Sequence, residues 1–147
     1  MSARNSTFSA KITGVKELNL AFRAVDTELP KELRVEFLVI AQKVATRVRA
    51  AMPWVTGEAA SSVTAGATQR TAYVQEGING GPKKDYVPWL DFGGEVGRNK
   101  SVSRPFIAGG RYLYPIAASE EDASGQAAID AVERVAKRAG LDVAEGV

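Results

Sequence analysis

Carboxylates that could bind a metal ion are concentrated in the stretch DYVPWLDFGGEVG, from Asp85 to Gly97. Its centre is Asp91-Phe92-Gly93, the tripeptide that carries a magnesium-binding aspartate in protein kinases. Asp85, Asp91 and Glu95 offer the oxygen ligands that Mg²⁺ accepts. A kinase also needs a glycine-rich loop, a strand lysine and an Asp/Asn catalytic loop, and the sequence has none of these. The other interpretation is that the three carboxylates are solvated or paired with nearby Lys83, Lys84 or Arg98.

Composition removes most other chemistry. The 147 residues include no cysteine and no histidine. Disulfides, thiolate nucleophiles, Cys/His zinc sites and a Ser-His-Asp triad are therefore excluded. Nothing else in the sequence supports a hydrolytic site, so we expect no enzyme, no cofactor and no metal. No run approaches the roughly 18 apolar residues of a membrane span, so no membrane partner is expected either.

Basic residues cluster in the loop-rich half of the chain. They are Lys83, Lys84, Arg98, Lys100, Arg104 and Arg111. One interpretation is a surface that faces phosphates without reading sequence, and the other is ordinary solubility charge. The net charge is only +2, with a pI of about 9.0. This mild basicity permits nucleic acid nearby without requiring it, because dedicated DNA-binding domains carry a denser basic stripe.

The elements that position these residues form a single α+β domain over residues 1–147, with residues 1–10 and 141–147 expected to be flexible tails. Apolar spacing predicts a short helix over VKELNLAFRAV, a long helix from Pro30 to Ala51, and a C-terminal helix capped by Ser119 and followed by Gly140. Strands are predicted at TFSAKIT, Ser62–Ala67, Thr71–Ile78 and YVPWLDF, the last an edge strand because of Pro88. NGGPKKD and GGEVGRNKSVS are predicted loops. The fold class is therefore helices packed on a small, mostly antiparallel sheet with two long loops.

Two groups of apolar residues fall outside the regular core pattern. Val35, Leu38 and Val39 lie off the main stripe of the long helix, which suggests a helix buried on two sides. A chain this short has little interior for such a helix, so a partner subunit is indicated. The second group consists of aromatic residues in loop-like contexts: Trp54, Tyr86, Trp89, Phe92 and Phe106. Aromatic residues there either anchor an interface or plug the ends of a small core.

The order of short boxes along the chain adds a resemblance. The long helix runs into a Pro-x-x-Thr-Gly corner at Pro53, Thr56 and Gly57. A Tyr-x-x-x-(Leu/Val)-(Asp/Glu)-Phe-Gly box follows at Tyr86 and 90–93, then an Arg-Pro-Phe box at 104–106 and a C-terminal helix. From about Ile12 to Ala139 the chain resembles the tailed-bacteriophage neck or tail-completion family, related to lambda-type minor tail protein Z.

The resemblance implies an architectural role without catalysis. Proteins of this type form a ring, a hexamer or dodecamer, at the head–tail junction of the virion after assembly in the host cytoplasm. They bind neighbouring connector, stopper or tail proteins while double-stranded DNA passes through the lumen. The expected subunit and partner interface is Val35, Leu38, Val39, Tyr86, Trp89, Phe92, Arg104 and Phe106. The residues expected to face the lumen are Lys83, Lys84, Arg98 and Lys100.

Three other functions remain open. The nearest is a tail terminator that caps the tail tube and has a similarly compact α+β design. A sequence-independent DNA-binding module is a second, favoured by the basic loops. A carboxylate-metal nuclease is the third, and it would depend on Asp91.

Overall fold

A computed structural model describes residues 6–11, 14–53, 58–77, 86–96 and 98–141. In chain order the elements are β1 (Ser6–Lys11), α1 (Val15–Val25), α2 (Leu29–Ala51), α3 (Glu58–Ser61), β2 (Thr64–Ala67), β3 (Thr71–Glu76), α4 (Tyr86–Phe92), β4 (Gly94–Val96), a 3₁₀ turn (Arg98–Lys100), β5 (Val102–Arg104), α5 (Leu113–Ser119) and α6 (Glu121–Arg138). The α+β class predicted from the sequence is confirmed. No helix in the described ranges is long and apolar enough to cross a membrane.

The strands pair only antiparallel within the described residues. One sheet has the order β1–β3–β2, and β4 pairs with β5 in a separate hairpin. The register places both Phe8 and Ala65 opposite Val74. Tyr73 lies opposite Gly66, and its ring occupies the space that a Cβ at position 66 would need. The glycine therefore lets the aromatic ring lie flat across the neighbouring strand.

Helix α2 is the element on which the others pack. Its buried stripe follows the helical period predicted from the sequence and includes Leu33, Phe37, Ala41, Val44 and Val48. The first half of the stripe joins one core cluster, with Phe22 of α1 and Val135 of α6. The second half joins another, with Val63, Val74, Val87 and Leu113. The long helix is therefore the common wall of both clusters.

Two arginines of α2 bind the edge of the sheet. Arg34 donates its Nε–H to the carbonyl of Ala67 at 2.9 Å, and Arg49 donates from Nη2 to the carbonyl of Val63 at 2.8 Å. These carbonyls lie at the two ends of β2, which is an edge strand and leaves backbone groups without a strand partner. The helix thus supplies hydrogen bonds that the sheet cannot.

Charged pairs connect α2 to α5 and α6. Glu36 accepts hydrogen bonds from Arg134 at 2.7 Å and Arg138 at 3.0 Å. The bond from Arg134 is the main reason that the pKa of Glu36 is lowered, and the same bond raises the pKa of Arg134. Arg47 pairs with the buried Glu120 at the junction between α5 and α6. These contacts hold the C-terminal helices against α2.

Several local predictions were wrong. The segment YVPWLDF is helix α4: Pro88 lies in its first turn, where a missing N–H costs no helical hydrogen bond. The predicted glycine-rich loop contains the β4–β5 hairpin. Ser119 does not cap α6. It ends α5, its Oγ donates to the carbonyl of Ile116 at 2.7 Å, and Glu120 occupies the N-cap position.

The chain ends and the long helix also differ from expectation. Residues 1–10 were expected to be a flexible tail, but residues 6–10 belong to β1, which pairs with β3 and contains most of the predicted strand TFSAKIT. The helix α2 is buried on one side only in a single chain, since Val35 and Val39 are exposed. Leu38 is half-buried against the first cluster of α2. Ile12, Ile78, the corner residues Thr56 and Gly57, and the tail residues 142–147 lie outside the described residues.

We expect Glu36→Gln to destabilise the protein near neutral pH and to have less effect in acid. Because the pKa of Glu36 is lowered on folding, its stabilising contribution is present above the ordinary value of 4.5 and is lost as the pH falls through the folded-state value. Urea unfolding of both proteins from about pH 7 to about pH 3 measures this. Glu17→Gln, which removes an exposed carboxylate of α1, is the control. A stability difference that does not change with pH would contradict the expectation.

Candidate interaction surface

Asp91 occupies the C-terminal end of α4 and is fully buried. Its Oδ1 accepts the backbone N–H of Arg111 at 2.5 Å and that of Tyr112 at 2.8 Å. Its Oδ2 accepts the N–H of Leu113 at 3.3 Å. These N–H groups lie at the start of α5, where a helix has no internal acceptors for them. The carboxylate therefore caps α5 from another element, and the negative charge suits a helix N-terminus.

The backbone around Asp91 is held by a second set of contacts. Arg111 donates from Nη1 to the carbonyl of Asp91 at 2.9 Å and from Nη2 to the carbonyl of Pro105. Ile107 donates its N–H to the carbonyl of Phe92 at 2.7 Å. Residues 91–93, 104–107 and 110–113 thus form one interlocked unit, which we call the Asp91 platform.

Glycine is required at two positions of the Asp91 platform. Gly93 has φ +86°, and a Cβ there would lie 2.1 Å from the carbonyl oxygen of Pro105. Gly110 has φ +76°, and a Cβ there would lie 2.7 Å from Oδ1 of Asp91. Both the left-handed conformation and the close approach exclude a side chain. The Asp-Phe-Gly and Arg-Pro-Phe boxes therefore fit against each other within one chain.

Three residues of the predicted interface make contacts inside the chain. Trp89 donates its Nε1–H to the carbonyl of Gly94 at 3.0 Å, and the guanidinium of Arg104 lies 5.7 Å from the centre of its ring. Arg104 also donates to the hydroxyl of Tyr112 at 3.2 Å. Phe92 is half-buried, with its ring centre 5.9 Å from that of Tyr114. These side chains support the platform, whatever else they contact.

Phe106 is different, because it points away from the core. The residue is 67% exposed, and Val102 and Ile107 are 46% and 44% exposed. We call these three residues the loop surface. The backbone on both sides of Phe106 is held within the platform, since the carbonyl of Pro105 accepts from Arg111 and the N–H of Ile107 donates to the carbonyl of Phe92. Ile107 and Val102 were not among the predicted site residues, and only their closeness to the Arg-Pro-Phe box could have indicated them.

A second exposed apolar group lies on α2. Val35 and Val39 are 61% and 58% exposed and lie one helical turn apart, so their side chains share a face. We call this pair the α2 stripe. It matches the predicted apolar excess of the long helix, whereas Leu38, which was predicted with it, packs mainly within the chain.

The predicted charged residues do not form a metal site in the described part of the chain. Asp91 is buried and Glu95 is exposed on β4, while Asp85 lies outside the described residues. No group of three or more Asp or Glu side chains that could hold a metal ion is found in the described ranges. Lys100 is exposed at the hairpin turn, with φ +55°. Lys83 and Lys84, and the side chains of Arg98 and Tyr86, lie outside what the structure describes.

We expect the Asp91 carboxylate to stabilise the folded protein. Asp91→Ala removes the acceptor of the α5 N–H groups and should lower the free energy of unfolding by about 2–4 kcal/mol. Asp91→Asn retains one acceptor oxygen and should cost about half as much. Denaturant unfolding measures both, with the exposed Asp122→Asn as control. Mg²⁺ should leave the wild-type unfolding midpoint unchanged. A Mg²⁺-dependent rise that Asp91→Asn abolishes would instead identify a metal ligand.

Comparison with protein-family models, with curated proteins and with solved structures found no match to this chain. Its function is therefore inferred from the contacts, exposure and charges of its own described residues, together with the order of its sequence boxes.

Proposed function

We propose that this protein is a structural component of the head–tail junction of a tailed bacteriophage. Its copies form a ring that joins the head connector to the tail and lets DNA pass, and it performs no catalysis. The protein binds other copies of itself and neighbouring connector, stopper or tail proteins. Its place is the neck or tail of the virion.

The observation that carries this proposal is the loop surface. Phe106 and Ile107 are exposed on a backbone that the Asp91 platform holds in place. An apolar side chain that is already fixed in a binding conformation loses little conformational freedom on association, which favours its use as an interface anchor. The α2 stripe provides a second apolar face on a different element. Two such faces suit a subunit that contacts more than one neighbour.

The sequence boxes that suggest the neck family take part in this arrangement. Asp91 and Gly93 of one box hold the backbone of Arg104 and Pro105 of the other, either directly or through Arg111. The two boxes therefore hold each other, and Phe106 lies exposed between two residues that they fix. This supports an architectural role for both boxes, in keeping with the resemblance.

We expect deletion of the gene, from the phage or prophage genome that carries it, to leave filled heads and tails of normal length that do not join. Electron microscopy of the lysate measures this. A plasmid copy should restore joined virions, whereas a copy with both Val35→Asp and Val39→Asp should not, because each change places a charge on the α2 stripe. Ala123→Asp, which adds an exposed carboxylate to α6, is the matched control.

The same experiment separates the alternatives. Tails of irregular length in the deletion strain would favour the tail terminator, because an uncapped tube has no fixed end. Normal infectious virions would contradict a role in either position.

We expect only weak DNA binding. A channel that lets DNA pass must not hold it, because every phosphate neutralised adds salt-sensitive affinity. The Kd for a duplex should be about 10⁻⁴–10⁻⁶ M at physiological salt, with no sequence preference. Any contact should come from Lys83, Lys84, Arg98 or Lys100, so Lys100→Glu should weaken it further while Lys43→Glu on α2 should not. Fluorescence anisotropy with two unrelated duplexes over a salt series measures this. Nanomolar, sequence-selective binding would favour a DNA-recognition module.

A further inference from the structure

A cavity of about 210 Å³ lies between α2, β3, α5 and α6. Its buried lining is apolar and includes Phe37 and Val44 of α2 and Ala128 of α6. The exposed members of the lining are Arg70, Glu121 and Gly125, which therefore form its rim. A cavity of roughly 150 Å³ with apolar walls accommodates benzene, so this one is large enough for a phenyl ring. A Cβ at position 125 would meet nothing within 4 Å, so a larger side chain can be placed at this lining position without a clash.

The same chain also has an apolar phenyl ring, that of Phe106, which is exposed to solvent. Phe106 is not among the residues that line the cavity, and its ring is mostly exposed to solvent. Burial of such a side chain contributes a large part of the binding energy at an interface when it fills a dry pocket. Since the platform fixes the loop, Phe106 does not have to change the fold of its own chain in order to enter a neighbour.

Charge around the ring and the cavity is complementary. Arg111 places a positive charge next to Phe106, because its guanidinium is bonded to the carbonyl of the preceding Pro105. On the rim of the cavity, Glu121 is followed by the exposed Asp122, and neither forms an ion pair within the described residues. Arg70 is the one positive charge among the exposed lining residues, so the rim together with Asp122 has a net negative charge. This net difference in charge favours the approach of the Phe106 side of one copy to the cavity of another.

We propose that Phe106 of one copy inserts into the cavity between α2, β3, α5 and α6 of the next copy. This inference rests on the proposed function, which requires self-association, and it identifies the contact between neighbouring subunits of the circular oligomer. Two different surfaces of each chain are used, so the contact is head-to-tail. A head-to-tail contact leaves one unburied Phe106 and one empty cavity at the two ends of every open assembly. Closure of the assembly into a circular oligomer fills that cavity and buries that side chain.

Three variants test the contact. Phe106→Ala removes the ring and leaves the cavity. Gly125→Leu places a side chain at the open rim of the cavity and leaves the ring, and leucine also suits a helix better than glycine. Glu121→Lys reverses the charge at the rim. Leu20→Ala, at an exposed position of α1, and Ala123→Leu, at an exposed position of α6 outside the cavity lining, are the matched controls.

Sedimentation equilibrium of the full chain measures the result. Wild type and both controls should associate equally, whereas Phe106→Ala and Gly125→Leu should each weaken association by at least about tenfold, with a smaller loss for Glu121→Lys. An equimolar mixture of Phe106→Ala and Gly125→Leu should form pairs of twice the 15.6 kDa chain mass and nothing larger. In such a pair Phe106→Ala supplies the cavity and Gly125→Leu supplies the phenyl ring. Neither chain can then bind a third, because the first has no Phe106 and the cavity of the second is blocked. Thermal unfolding checks that each variant is folded.

The outcomes are distinct. Wild-type association that either single variant retains in full would overturn the contact, and so would a mixture that fails to form pairs. A wild-type protein that stays monomeric up to about 1 mM would overturn it as well. The proposed function is judged separately by the phenotype of the gene deletion, which does not depend on Phe106. Unjoined heads and tails together with unaffected variants would retain the neck role and reject this contact.

Discussion

The course of residues 92–113 depends on one buried carboxylate, that of Asp91. A charged group is costly to bury unless hydrogen bonds replace its water, and the first N–H groups of a helix are costly to bury unless something accepts them. Here one set of hydrogen bonds meets both requirements. The N–H groups of Arg111, Tyr112 and Leu113 donate to the Asp91 carboxylate, which replaces the water of both partners. The position of α5 is thereby set by α4. Since α5 leads directly into α6, this contact also sets where α6 begins, while the pairs of Glu36 with Arg134 and Arg138 hold α6 against α2.

Helix α2 is the second constraint, because different sides of this helix make different kinds of contact. Apolar residues on one side separate the two core clusters, while Arg34, Arg47 and Arg49 reach neighbouring elements with polar contacts. Glu36 does the same toward α6. The face that carries Val35 and Val39 takes no part in these contacts and is exposed. Its apolar character is not needed for the fold of the single chain, so it is available for contact with a neighbour.

Periodic features were predictable from the sequence, and contacts between distant segments were not. The buried stripe of α2 and the helices α1 and α6 follow the helical spacing of apolar residues, and Val35 and Val39 were noticed because they depart from it. The segment YVPWLDF was misassigned because seven mostly apolar residues carry no clear period and Pro88 fits the first turn of a helix as well as an edge strand. The role of Asp91 depends on N–H groups 20 residues or more along the chain, which no local pattern reveals. Trp89 and Phe106 were both predicted as aromatic residues in loop-like segments. Only the structure distinguishes them, because Trp89 contacts the carbonyl of Gly94 and the guanidinium of Arg104, whereas Phe106 is exposed.

The platform also shows where the chain can be altered without loss of the fold. Residues 99–101, at the tip of the β4–β5 hairpin, are exposed and lie outside the platform. The two strands that flank this tip pair with each other, so both of its ends are held close together. Loop length between two fixed ends changes the free energy of closure only slowly, so insertions and substitutions there are tolerated far better than in the core. A designed binding loop could be grafted at this tip on the same principle.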